Sequence, residues 1–102
     1  MLQVKFSPAA LLEIRDSIQW LSEQSPAAAE GLASEIARLV DQLRHHPESG
    51  SPVRGRGIPR GLRRLALHRY RYLLVYRQDG NVVSVVALAH TSRKPGYWVD
   101  RA

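Results

Sequence analysis

Apolar and polar side chains alternate over residues 2–6 (Leu-Gln-Val-Lys-Phe), the period of a strand with one buried face. Ser7-Pro8 follows, a helix N-cap with proline at the first helical position. Leu11, Ile14, Ile18 and Leu21 then recur at three- and four-residue steps, which predicts a helix with one apolar face. Ser25-Pro26 repeats the start signal, and Ala29, Leu32, Ile36, Leu39, Val40 and Leu43 carry the same spacing through a second helix that Pro47 stops. With so short a turn between them the two helices form an antiparallel αα-hairpin. Gly31 and the alanines around it suit a close approach of the helices, at some cost in helix propensity.

The pattern changes at residues 47–61, where four glycines and three prolines punctuate a long loop that also carries Arg54, Arg56 and Arg60. Loops of this length in small domains are often functional. Three strand-like runs follow. Residues 62–68 are short and arginine-rich, 70–77 are aromatic and β-branched, and 82–89 are almost continuously apolar, as in a strand covered on both faces. Asp79-Gly80 is a tight-hairpin signal between the last two. The order predicts an α+β domain, β-α-α-β-β-β, with an antiparallel sheet packed against the helical hairpin. At 102 residues the chain is expected to be a single domain, 1–102.

Charge is distributed unevenly. Residues 1–48 hold four bases and seven acids; residues 49–102 hold eleven bases and two acids, so the net +6 resides entirely in the second half. Thirteen of the fifteen bases are arginine, whose planar fork matches phosphate and carboxylate. The asymmetry suits an anionic partner, nucleic acid or an acidic protein segment, and equally a merely solvated basic face; composition alone does not choose between them. The absence of cysteine excludes a disulfide scaffold, thiolate zinc sites and cysteine nucleophiles. No apolar run approaches the roughly 20 residues of a membrane span, and no secretory leader is visible, so the expected location is cytoplasmic with no membrane contact.

Candidate chemistry concentrates in His90-Thr-Ser-Arg93-Lys-Pro-Gly-Tyr97-Trp98, directly after the most apolar strand. RNA cleavage by 2′-hydroxyl attack needs a base, an acid and positive charge on the phosphate, and His, Tyr and Arg are sufficient for these roles. The plainer alternative makes His90 a strand-end hydrogen-bonding residue, with Tyr97 and Trp98 as lids over the sheet edge. His45-His46 lacks metal-ligand spacing and is better explained by the helix dipole, so neither a metal nor a cofactor is expected. Gly55-Arg-Gly57 has no strand before it or helix directly after, and is no phosphate-binding fingerprint. Tyr70, Tyr72 and Tyr76 share a strand face with Leu74 and are expected to pack. Trp20 lies off the main stripe of the first helix and is expected to border it, partly buried; an exposed Trp there would mark a contact surface.

Taken together, several phrases resemble the RelE/ParE superfamily of type II toxin–antitoxin toxins over nearly the whole chain. They are Phe6-Ser-Pro-Ala-Ala, Trp20-Leu-Ser-Glu-Gln-Ser-Pro, His46-Pro-Glu-Ser-Gly-Ser-Pro, Gly61-Leu-Arg-Arg-Leu, Tyr70-Arg-Tyr-Leu-Leu-Val-Tyr-Arg77 and His90-Thr-Ser-Arg93. The resemblance implies a bacterial cytoplasmic toxin, with a role such as plasmid stabilisation, neutralised by a cognate antitoxin. It is closer to the ParE branch, whose members poison DNA gyrase without being nucleases, on account of the helical hairpin, the tyrosine-rich strand and the His-x-x-Arg ending. The alternative is a RelE-like endoribonuclease that cuts mRNA on the ribosome. That branch usually places lysines ahead of the second strand, and here none occurs between Lys5 and Lys94. A third reading is a non-toxic nucleic-acid-binding module.

For a gyrase inhibitor no catalytic residue is expected, and His90, Arg93, Tyr97 and Trp98 would contact the target. For a nuclease, Arg71, His90, Arg93 and Tyr97 would be catalytic. The antitoxin is expected to present an acidic, amphipathic C-terminal segment to Arg63, Arg64, Arg77 and Trp20.

Overall fold

Two serines set the helical hairpin. In the computed structural model, strand β1 (Gln3–Phe6) enters helix α1 (Pro8–Gln24) through Ser7, whose Oγ accepts the Ala10 N–H at 3.0 Å. Ser25 ends α1 by donating its N–H to the Leu21 carbonyl at 2.7 Å, and starts helix α2 (Pro26–His45) by accepting the Ala28 N–H at 3.2 Å. One residue thus terminates one helix and caps the next, which forces the sharp reversal. The structure describes residues 1–94 and 96–101; Pro95, within the candidate segment 90–98, and Ala102 lie outside the described residues.

The loop after α2 contains a two-residue strand, β2 (Ser51–Pro52), before β3 (Leu62–Ala66), β4 (Tyr72–Asp79) and β5 (Val82–His90). The sheet order is β1-β5-β4-β3-β2. The α+β class and the hairpin on a sheet are as expected. The sheet is antiparallel from β2 to β5, but β1 runs parallel to β5, from Gln3 opposite Val82 to Phe6 opposite Val85, so the whole is mixed. The helical hairpin is the crossover that a parallel partner requires.

Both faces of β5 are covered. Leu32, Leu39 and Leu43 of α2 pack with Ala10 of α1 on Leu74, Tyr76, Val83, Val85 and Leu88, all buried. On the opposite face Leu62, Val75, Val86, Ala87 and Ala89 lie under Trp98. A bulge reconciles the two, because Val75 pairs with Ala87 and Tyr76 with Val85, leaving Val86 as the extra residue. The inward face of α1 is Ala10, Ile14, Ile18 and Leu21, whereas Leu11, expected on that stripe, is 52% exposed. Gly31 does not serve helix–helix approach; its missing Cβ accommodates the Tyr70 phenol, which donates to the Ala28 carbonyl at 3.0 Å. Tyr76, fully buried, accepts the Gly50 N–H at 2.8 Å and donates to the Pro47 carbonyl at 2.7 Å, anchoring the start of the arginine-rich loop to the sheet.

Candidate functional site

β5 outruns β1 by five residues, since β1 ends opposite Val85 and β5 continues to His90. Beyond Val85, side chains take the place of the missing strand. The Val86 carbonyl, displaced by the bulge, accepts the Ser7 hydroxyl at 3.3 Å and Arg101 Nη1 at 3.1 Å. The Leu88 N–H donates to Glu13 Oε1 at 3.2 Å, and that oxygen also receives Arg101 Nη1 at 2.8 Å. The other oxygen of Glu13 accepts the Tyr97 hydroxyl. Glu13 is therefore the hub that fastens the closing turn (Val99–Arg101) and Tyr97 to α1 and β5.

The chain leaves β5 through a tight turn. His90 stacks edge-on against Tyr72 with centroids 5.0 Å apart, and its Nδ1 accepts the Ser92 N–H at 3.0 Å. The Arg93 N–H donates to the His90 carbonyl at 3.0 Å, and the Thr91 N–H to the Arg71 carbonyl at 2.9 Å. The Arg93 guanidinium then lies 3.8 Å over the Tyr97 ring, a cation–π contact. Burial, and next the hydrogen bond to Glu13, push the Tyr97 phenol up to about 12. A phenol so placed stays neutral at physiological pH and is a poor proton shuttle.

Between this turn and the loop at Val53–Ile58 lies a cleft of about 390 Å³. Arg54, Arg56, Arg64, His90, Arg93 and Lys94 line it, over a floor that includes Val75, Ala89 and Trp98, and no carboxylate lines it among the described residues. The long loop and the β5 turn, some forty residues apart in sequence, thus form one basic hollow.

The expected site residues separate on this frame. His90, Arg93 and Tyr97 come together at the cleft. Arg71 contributes a carbonyl to the turn but does not line the cleft. Trp98, expected as a target contact, is 7% exposed and belongs to the core, because the outer sheet face needs a cover. Of the expected antitoxin contacts, Arg64 and Arg77 lie on the outer sheet face. Arg63, one residue before Arg64 and hence on the opposite face, holds the Gly50 carbonyl at 2.7 Å and the Glu48 carbonyl at 3.2 Å. Arg77 is ion-paired with Asp79 at 3.3 Å, and Trp20 is 59% exposed on α1.

Sequence reasoning passed over Glu13 and Arg101. The available signal was an acid three residues after Ala10, on the inward side of α1, where an unpaired carboxylate is costly. Among the described residues there is no group of His, Asp and Glu that could hold a metal; His45 Nδ1 instead donates to the Asp41 carbonyl at 3.0 Å, as a helix-end histidine does.

A family model described as the ParE toxin of the type II toxin–antitoxin system, parDE, matches residues 4–95. The chain belongs to the ParE toxin family. A solved structure described as a chromosomal ParDE toxin–antitoxin system from P. aeruginosa superposes with a TM-score of 0.70 at 20% identity, over 90% of this chain and 98% of that one, which shows a shared fold. No match is found among curated proteins. Tyr97, Trp98 and Arg101 lie beyond the family match, so their attachment to Glu13 is a feature read from this chain's own fold. Among the described residues, no helix of this ParE-family chain is long and apolar enough to cross a membrane.

Proposed function

We propose that this ParE-family chain is a cytoplasmic toxin that inhibits DNA gyrase, with Arg93 and His90 at the contact surface and no catalytic residue. The observation that carries the reading is the make-up of the cleft. Among the described residues, six basic or imidazole side chains surround an apolar floor without a carboxylate, while the neighbouring phenol is tied to Glu13. Such a surface recognises an anionic or polar macromolecular partner, while the groups suited to proton transfer are engaged, His90 Nδ1 by the Ser92 N–H and the Tyr97 hydroxyl by Glu13. Induced expression in bacteria should produce DNA breaks and loss of gyrase supercoiling. Ribosome-dependent mRNA cuts in their place would overturn the reading in favour of a RelE-like endoribonuclease. Absence of both, with salt-sensitive nucleic-acid binding, would mark a non-toxic binding module.

The same reading includes a cognate antitoxin with an acidic, amphipathic segment. Because Arg64 and Arg77 lie on the outer sheet face, while Arg63 and Trp20 do not, a segment that meets all four must wrap around the domain. Adding that antitoxin should raise the melting temperature, since a ligand selective for the folded chain stabilises it.

A further inference from the structure

We infer that Glu13 is a positioning residue for the target-contacting arginine: through Tyr97, it fixes the Arg93 guanidinium at the mouth of the basic cleft. The inference rests on the proposed role of Arg93 and adds to it a residue on a different element. Arg93 is exposed and follows a turn, so by itself it would sample many rotamers and lose that freedom on binding. What restrains it is the Tyr97 ring, 3.8 Å from its guanidinium carbon. That ring is in turn fixed at its far end, where the hydroxyl donates to Glu13 Oε2.

Glu13 is itself held. It sits on α1, is 16% exposed in its side chain, and receives the Leu88 N–H and Arg101 Nη1 on Oε1. A rigid helix, a carboxylate with both oxygens engaged, a neutral phenol and a guanidinium therefore form one chain of contacts ending at the cleft. Arg101 lies farther from the ring, at 5.1 Å, and is committed to Glu13 and the Val86 carbonyl, so Arg93 is the cation left facing outward. Such preorganisation lowers the cost of binding without any contact between Glu13 and the target.

The test compares growth inhibition at matched toxin levels for Arg93→Ala, Glu13→Ala, Glu13→Gln and Tyr97→Phe. Purified variants are checked by thermal melting and by NMR of the Arg93 side chain, whose protons should carry a ring-current shift from Tyr97. Arg93→Ala should abolish inhibition. Glu13→Ala should weaken it about 3- to 30-fold, the scale of one cation–π contact, and should erase the ring-current shift. Glu13→Gln, which still offers an oxygen to Leu88 and an amide to the phenol, should recover part of both. Tyr97→Phe keeps the ring but frees its end, and should fall between wild type and Glu13→Ala; it also carries the test where Glu13→Ala fails to fold. Wild-type inhibition by folded Glu13→Ala or by Tyr97→Phe, with Arg93→Ala inactive, would overturn the positioning role alone. Full inhibition by Arg93→Ala would overturn the site reading and this inference with it.

Discussion

Replacing Gly31 by alanine should destabilise the protein, although the same change in most helices is stabilising. Alanine is favoured over glycine inside a helix by about 1 kcal/mol. At this position, however, the new Cβ would overlap the Tyr70 hydroxyl oxygen, while the ring carbon behind it stands at a comfortable 3.5 Å. The phenol must therefore move, losing its 3.0 Å bond to the Ala28 carbonyl, worth about 1 kcal/mol, and crowding its neighbours at about 1–3 kcal/mol. The net expectation is a loss of about 1–3 kcal/mol. In a Tyr70→Phe background the obstructing atom is gone, and Gly31→Ala should then stabilise by roughly 0.5–1 kcal/mol. A double-mutant cycle in urea, with thermal melting alongside, measures the coupling, expected at about 1.5–4 kcal/mol. For a chain of 102 residues each kcal/mol corresponds to roughly 5 °C in Tm. A rise in stability for Gly31→Ala alone, or an equal effect in both backgrounds, would refute the argument that the glycine exists to admit the phenol.

Tyr76→Phe should cost about 2 kcal/mol and roughly 10 °C in Tm, because it strips the buried Gly50 N–H and the Pro47 carbonyl of their shared partner; faster hydrogen exchange at Gly50 checks the locality of the effect. Trp98→Ala should cost about 3 kcal/mol or more, as removal of a core aromatic does, so denaturation and not merely toxicity will register it. The Tyr97 phenol is raised in the fold, so the neutral form is the one the fold favours. Its contribution is complete below about pH 10 and is lost as pH rises from about 10 to 12, an effect of up to roughly 2 kcal/mol after screening, absent in Tyr97→Phe and measurable by urea melts across that range. Arg93→Ala should lower Tm by no more than about 5 °C, the loss of one exposed cation–π contact, while abolishing growth inhibition.

Sequence alone determined the local devices. Ser7-Pro8 and Ser25-Pro26 fix helix starts because capping acts within one turn, and the three- and four-residue spacing of Leu32, Ile36, Leu39 and Leu43 defines a face whatever it meets. The continuous apolar run at 82–89 announced a strand covered on both sides, and the charge asymmetry placed the basic surface in the second half. Tertiary structure decided what those elements meet. The parallel pairing of β1 with β5 joins residues about eighty positions apart, and no local period encodes its direction. Trp98 reads either as a target contact or as a lid over the sheet, and the outer sheet face claims it as cover. Glu13, Tyr97 and Arg101 carry no mutual signal, being separated by 84 and 88 residues from the carboxylate that binds them. Their meeting follows from β5 outlasting β1: backbone groups left without a strand must be paired by whatever side chains the fold brings there, and only the assembled sheet specifies which those are.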